Sequence, residues 1–170
     1  MGVNMNRFII EDRPIKIAQS LCDQHVVKMP LEEAQMLCTV LWHHAPKHAE
    51  EYNLYKPVHQ KHPCTLWAME NKANYNFAFA LWGEMCLEYE KRYKRKHGAS
   101  KHFEAFYYGH KFLPLGTMTK HPQCFSGMDE LKTDEFYPIE AYRAFYIADK
   151  ARFARYRYTQ QPTWMKGVAL

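Results

Sequence analysis

Between residues 15 and 44 the side chains Leu21, His25, Met29, Glu32, Met36 and Val40 recur at steps of three and four residues. That spacing follows the helical repeat, so the segment predicts one long amphipathic helix whose apolar stripe must be buried against the rest of the chain. Pro30 lies inside the run. It removes one backbone donor and crowds the preceding turn, so a kink is expected there. Pro46 ends the segment.

The remaining chain reads as two further helices and their connections. Residues 1–14 contain Phe8-Ile9-Ile10 and then Glu11-Asp12-Arg13-Pro14, an ordered arm ahead of the first helix. A connector rich in His, Tyr and Pro covers 47–63. A second helix is expected from Thr65 to His97, with Leu66, Tyr75, Phe79, Trp82, Met85, Cys86 and Tyr89 on its apolar side. Its end is basic through Lys91, Arg92, Lys94, Arg95 and Lys96, which suits a helix C-terminus, and Gly98 is placed to cap it. Residues 99–136 are expected to be irregular. A third helix is expected from Pro138 to about Tyr158, with Pro138 and Glu140 both favourable in a first turn. The tail 159–170 carries Trp164. There are no repeats, low-complexity tracts or Gly/Ser linkers, so residues 1–170 read as a single compact domain. The fold class expected is all-α: three main helices with long irregular connections.

A hydrophobic content of 47% and an aromatic content of 15% argue against disorder. The net charge of +5 permits a nucleic-acid partner without requiring one. The five cysteines are odd in number and form no C-x-x-C pair. With no signal peptide and no run able to span a bilayer, they read as reduced thiols in a cytosolic protein, mostly filling core. Ten histidines raise a metal reading, because His43, His44, His48, His59 and His62 crowd near Cys64. No pair has finger-like spacing, however, and Pro46, Pro57 and Pro63 interrupt the region. These histidines are read as solvated or capping, and neither a metal nor another cofactor is expected.

Two sets of residues carry candidate chemistry. His25 and Glu32 share one helix face, about 10 Å apart along the axis. On an otherwise apolar face a carboxylate is pushed to a raised pKa unless a cation or donor meets it. Such a carboxylate is either a functional group or a core Glu bonded to backbone, Arg or Lys. The second set is the cations Lys91 to Lys96 and Lys150, Arg152, Arg155 and Arg157, interleaved with Tyr89, Tyr93, Tyr156 and Tyr158. Cations contact phosphates and aromatics stack on unpaired bases; equally, charge runs at helix ends are often only solvated faces.

The triplet Asp23-Gln24-His25, with Glu32 seven residues after the histidine, resembles the pyrimidine-dimer DNA glycosylases of T-even-type phages, the T4 endonuclease V family. The tail Pro162-Thr163-Trp164 is similar to that family's end. Phe136-Tyr137-Pro138-Ile139-Glu140-Ala141 resembles the motif before its third helix, with the aromatic shifted by one place. The segment through Lys28-Met29 also resembles uncharacterised phage proteins with an Asp-(Lys/Gln)-His-Val-Val-Lys-Met run. The glycosylase resemblance implies an all-α enzyme that kinks damaged duplex DNA and flips a base out. It implies an N-terminal α-amine attacking the sugar C1′, here on Gly2 if Met1 is removed, with Glu32 stabilising the cationic intermediate and moving protons. His25 and Gln24 would line the site. Arg7 would hold a phosphate, and Trp164 and Lys166 would contact DNA. The family's basic residues flanking its Glu fall on Leu31 and Gln35, and Lys28 stands one turn earlier as a replacement. The implied partner is duplex DNA with a damaged or modified base, bound by a monomer away from membranes, in the cytoplasm of an infected host cell. Two alternatives stay open: the same fold acting on a free nucleoside, nucleotide or modified phage base, and a non-enzymatic module that binds DNA or protein.

Overall fold

The long periodic segment folds as helix, but in two pieces. In the computed structural model, which describes residues 5–166, α1 runs Pro14–Ser20 and α2 runs Asp23–His44. Leu21 and Cys22 between them are extended, so the expected single helix over 15–44 is corrected. The break has a tertiary cause. Arg92, reaching in from a later helix, donates to Leu21 O at 2.7 Å and to Gln19 O at 3.1 Å. Tyr156 donates to Ser20 O at 3.0 Å. Carbonyls at a helix end need such partners, and here the fold supplies them. Pro30 sits inside α2, and the helix runs on through it.

The second expected helix is also divided. After α3 (Pro46–Glu51), α4 spans Pro63–Glu70 and α5 spans Lys72–Tyr93. Asn71 separates them in an extended conformation and caps α5, its side chain accepting from Asn74 N–H at 3.0 Å. Its amide donates to Thr117 O at 3.0 Å, and Lys72 N–H donates to Pro114 O at 2.7 Å. The loop after α6 is thereby stitched to this corner. Gly116 lies so close that an added Cβ would stand 2.8 Å from the Asn71 Cβ, which only glycine permits. The expected Gly98 cap is not used: α5 ends at Tyr93, with Lys94 in the left-handed region at φ 58°.

The stretch expected to be irregular contains helix as well. A 3-10 turn at Gly98–His102 leads into α6 (Phe103–Gly109), followed by a 3-10 turn at His110–Phe112. The last helix, α7, spans Ile139–Lys150, with Pro138 just ahead of it, and passes into a 3-10 turn at Ala151–Phe153. It is therefore shorter than expected. Among the described residues every regular element is helical, as the all-α reading requires.

α2 and α5 form the centre, and two apolar clusters flank them. One packs Phe8, Ile9, Ile10, Val26 and Met29 against Leu81 and Met85 of α5 and Tyr142, Phe145 and Tyr146 of α7. The other packs Leu37 and Leu41 of α2 with Trp67 of α4, Tyr75 and Trp82 of α5 and Phe106 of α6. Residues 5–10 are all buried, Phe8, Ile9 and Ile10 in the first cluster and Met5 in a small third one with Met36 and Cys64. No helix among the described residues is long and apolar enough to cross a membrane.

Candidate active site

The N-terminal arm brings three consecutive side chains to α7 and α2. Asn6 accepts from the Tyr142 hydroxyl at 2.7 Å. Arg7 forms a two-pronged pair with Glu33, Nε to Oε2 at 3.1 Å, and donates Nη1 to Cys64 O at 3.2 Å. Phe8 stacks on His25 with ring centroids 4.7 Å apart. Met5 packs with Met36, one helical turn beyond Glu32. Arg7 is only 2% exposed and its guanidinium also lies 5.2 Å from the Trp67 ring. The phosphate contact expected of Arg7 is therefore corrected: its donors are spent inside the fold. Glu33, which the periodic reading left aside, is its buried partner.

Glu32 stands next to that pair but is met differently. Its Oε1 accepts from Lys28 Nζ at 3.2 Å, one turn earlier on α2. Its Oε2 is buried without a hydrogen-bond partner among the described residues. Burial pushes the Glu32 carboxyl above its ordinary range, with Glu33 adding to the effect, while Lys28 and Lys150 oppose it. The carboxylate is thus half-satisfied: one oxygen is held by a cation and the other is left over. Lys28 itself is exposed, as is Gln24 a turn earlier. Leu31 and Val27, at 40% and 43% exposure, give this rim apolar surface, and Leu31 is one of the two positions where the resemblance places cations.

His25 is buried and neutral. Its pKa is lowered to about 3, first by burial and then by Lys150 and Lys28, against a smaller opposing pull from Asp149. Tyr146 Oη lies 2.8 Å from His25 Nδ1 and accepts from Cys22 N–H at 2.9 Å. With that amide on its lone pair, the tyrosine proton points to Nδ1, which assigns the imidazole proton to Nε2. Edge contacts from Tyr146 and Phe153 hold the ring.

The two ends of the chain meet through α7. The Trp164 ring packs 5.9 Å from Tyr146, the residue that binds His25. Trp164 Nε1 donates to Glu11 Oε1 at 3.2 Å, and Arg143, which pairs with Glu11 at 2.9 Å, lies over the indole at 5.3 Å. An open hollow of about 720 Å³ beside it is lined by Lys16, Lys91, Gln160, Gln161 and Trp164. Lys166, the last described residue, is exposed. Gly2 lies outside the described residues.

Asp23 has a structural task that sequence reasoning missed. Its Oδ1 accepts from Arg92 Nη1 and from Arg157 N–H, both at 3.1 Å, and its own N–H donates to Arg155 O at 2.8 Å. The first residue of the Asp-Gln-His triplet therefore latches the segment after α7 to the start of α2. Several cations read as phosphate contacts are engaged by the aromatics beside them. Arg157 lies over Tyr93 at 4.7 Å, Lys94 over Tyr158 at 4.3 Å, and the buried Arg92 over Tyr156 at 5.7 Å. The crowded histidines mostly bond to backbone: His44 to Met69 O and His48 to Ala105 O, each at 2.8 Å.

The site thus holds a strained carboxylate, a neutral imidazole with an assigned tautomer, and exposed Gln24 and Lys28 at its edge. A carboxyl held above its ordinary range suits proton transfer or stabilisation of an adjacent cation. No family model, curated protein or solved structure matches the chain.

Proposed function

We propose that the protein is a DNA N-glycosylase with strand-nicking activity, acting as a monomer on a damaged or modified pyrimidine in duplex DNA in the cytoplasm of an infected cell. The observation that carries this reading is Glu32, a buried carboxylate with one oxygen on Lys28 and the other without a partner. Leaving such an oxygen unpaired by the described residues costs roughly 1–3 kcal/mol, a cost that favours a functional role over a purely structural one. Glu33 beside it shows what a structural carboxylate looks like here, with both oxygens on Arg7.

In this reading an amine attacks the sugar C1′ of a flipped nucleotide. The C–N bond to the base breaks, and the base departs with the electron pair and takes a proton; the amine, having lost a proton, then pushes open the C1′–O4′ bond, O4′ takes a proton, and an iminium forms on C1′ of the opened sugar. Loss of a C2′ proton then expels the 3′ phosphate. Glu32 stabilises the cation and shuttles the protons. The amine is that of Gly2 if Met1 is removed. Met5 is anchored against Met36, and three further residues reach at most about 11 Å, enough to span one helical turn back to Glu32. Gln24 and Lys28 would contact the DNA at the rim, with Trp164 and Lys166 on the tail.

One observation favours a second reading, in which the same site takes a nucleoside or nucleotide. Arg7 is committed to Glu33 and Leu31 is exposed, so the rim offers fewer phosphate contacts than the resemblance implies.

The test is borohydride trapping on duplexes that carry a cyclobutane pyrimidine dimer or an abasic site. A covalent adduct is expected, mapping to Gly2 by peptide mass spectrometry and lost in Glu32→Gln. An adduct on Lys28 would keep the chemistry but reassign the amine. Absence of both adduct and nicking would overturn the glycosylase reading, and a nucleotide-induced rise in Tm without DNA binding would select the second.

A further inference from the structure

One cluster lies apart from Glu32 and is built from residues distant in sequence. His62, Cys64 and Cys124 bring one ring nitrogen and two sulfurs within 4.8 Å of one another. The two sulfurs stand 3.0 Å apart. Each donor is set by the backbone around it. His62 is the N-cap of α4, its Nδ1 accepting from Cys64 N–H at 3.1 Å, and Pro63 occupies the first turn between them. Cys124 lies on the non-helical stretch after α6, its N–H donating to the Tyr142 hydroxyl at 3.1 Å. Tyr142 in turn bonds Asn6 of the arm. Met5 and Met36 close the sulfurs off on the inner side, while His62 and Cys124 are half-buried and leave an approach from solvent.

We propose that His62, Cys64 and Cys124 bind a thiophilic divalent cation, with zinc the best chemical fit, and that water fills the fourth position. Two sulfurs and one imidazole are a donor set that selects zinc over the hard cations. Zinc–sulfur bonds of about 2.3 Å and zinc–nitrogen bonds of about 2.0 Å place tetrahedral ligand atoms roughly 3.5–3.8 Å apart. The three donors already converge on that scale, and the sulfurs need to separate by less than about 1 Å to admit the ion. His62 Nδ1 now accepts from the Cys64 N–H through the single lone pair of the neutral imidazole, so metal binding by this ring replaces that bond. Binding displaces the thiol protons to solvent. Two thiolates, a neutral imidazole and a divalent ion sum to zero charge, which is compatible with Arg7 donating to Cys64 O nearby.

The site joins three parts of the chain that no helix connects: the turn into α4, the loop carrying Cys124, and the arm, whose Asn6 meets Tyr142 of α7 and whose Arg7 and Phe8 meet α2. It stands independently of the glycosylase reading, because none of its ligands belongs to the Glu32 site.

The test is cobalt titration of the full chain, purified under reductant and freed of metal. One equivalent of Co²⁺ is expected to give tetrahedral d–d bands and a thiolate-to-cobalt charge-transfer band, both displaced by Zn²⁺. Cys124→Ser and His62→Ala should lose or strongly weaken the bands, whereas Cys38→Ser and Cys86→Ser should keep them. Zn²⁺ should raise the Tm of the parent protein and not that of Cys124→Ser. Circular dichroism establishes that each variant is folded, and Cys124, on a half-exposed loop, serves if Cys64→Ser does not fold. Absence of the charge-transfer band in folded protein, or its persistence in Cys124→Ser, would overturn the proposal. So would a Cys64–Cys124 disulfide that survives reduction and excludes metal.

Discussion

Glu32 and Glu33 are adjacent on α2 and similarly buried, at 5% and 2% exposure, yet their replacement by glutamine should move stability in opposite directions. Glu33 holds Arg7 through both carboxylate oxygens at the heart of the arm's attachment. Removing its charge leaves a buried guanidinium facing only neutral acceptors, the glutamine amide oxygen and Cys64 O, with the new amide NH2 turned against one of its donors. Breaking a buried pair in this way costs about 3–5 kcal/mol. Glu32 offers the reverse case. Glutamine removes an ionised oxygen that has no partner, a gain of roughly 1–3 kcal/mol. It also loses the bond from Lys28, which is 54% exposed, a pair of the kind worth only about 0.3–0.5 kcal/mol. The replacement amide still leaves a neutral donor unpaired, so the net gain expected is about 0.5–2 kcal/mol.

At about 2–4 °C per kcal/mol for a chain of this size, Glu32→Gln should raise Tm by a few degrees and Glu33→Gln should lower it by roughly 10 °C. The gap for Glu32 depends on pH in a defined sense. A carboxyl whose folded pKa lies above its ordinary value of 4.5 contributes stability below that value and loses it as pH rises through the folded one. The advantage of Glu32→Gln over the parent should therefore be small near pH 4 and grow toward neutrality. Urea denaturation followed by circular dichroism at several pH values measures both. If Glu32→Gln were destabilised by more than about 1 kcal/mol, the carboxylate would have an unseen structural partner, and the argument for a functional Glu32 would fail.

Tyr146→Phe removes the shared partner of Cys22 N–H and His25 Nδ1. It should cost about 2–4 kcal/mol, and a neutral result in urea would show that these two bonds do not hold His25 and the start of α2. Asp23→Asn weakens the bonds to Arg92 and Arg157. It should cost roughly 2–3 kcal/mol, and hydrogen exchange should show protection lost over residues 155–166 before the rest of the chain. His25 and His121 are both held neutral, with pKa values lowered to about 3 from 6.5, first by burial, with Lys150 and Lys28 acting on His25 and Arg7 on His121. Their contribution is full above pH 6.5 and lost as pH falls toward 3, so together they should steepen acid denaturation by up to about 2.8 kcal/mol per pH unit. His121 has neither ring nitrogen bonded and stacks on Trp67 at 4.5 Å. His121→Phe should therefore stabilise the protein and flatten that limb, and an unchanged acid limb would refute the assignment.

What the sequence could show follows from how local each cause is. The periodicity over 15–44 located α2 because apolar burial at three- and four-residue steps is a property of the segment itself. The break at Leu21 and Cys22 was not legible, since the partners of the freed carbonyls come from Arg92 and Tyr156. The break at Asn71 was legible in principle: an Asn three residues ahead of the amide it caps is a local signal, overridden here by a continuous apolar pattern on either side. Periodicity placed Glu32 on the right face but was silent on Glu33, whose meaning depends on an arginine 26 residues away. Likewise the spacing of His62 and Cys64 carried no metal signal, because Cys124 reaches them from 60 residues on.

The Asp-Gln-His triplet shows why a motif of three residues need not be a motif of three catalytic groups. Asp23 latches the segment after α7, Gln24 is exposed at the rim, and His25 is held through Tyr146 of α7. Tyr146 also carries Trp164. The residues that resemble a glycosylase at the two ends of the chain are therefore coupled through one helix rather than meeting at one substrate atom. Loosening the tail at Asp23 should be felt at His25, and through it beside Glu32, without any contact to a ligand. A loss of adduct yield in Asp23→Asn with Glu32 and Gly2 intact would place Asp23 among the positioning residues. Unchanged yield with a loosened tail would confine the chemistry to the arm and α2.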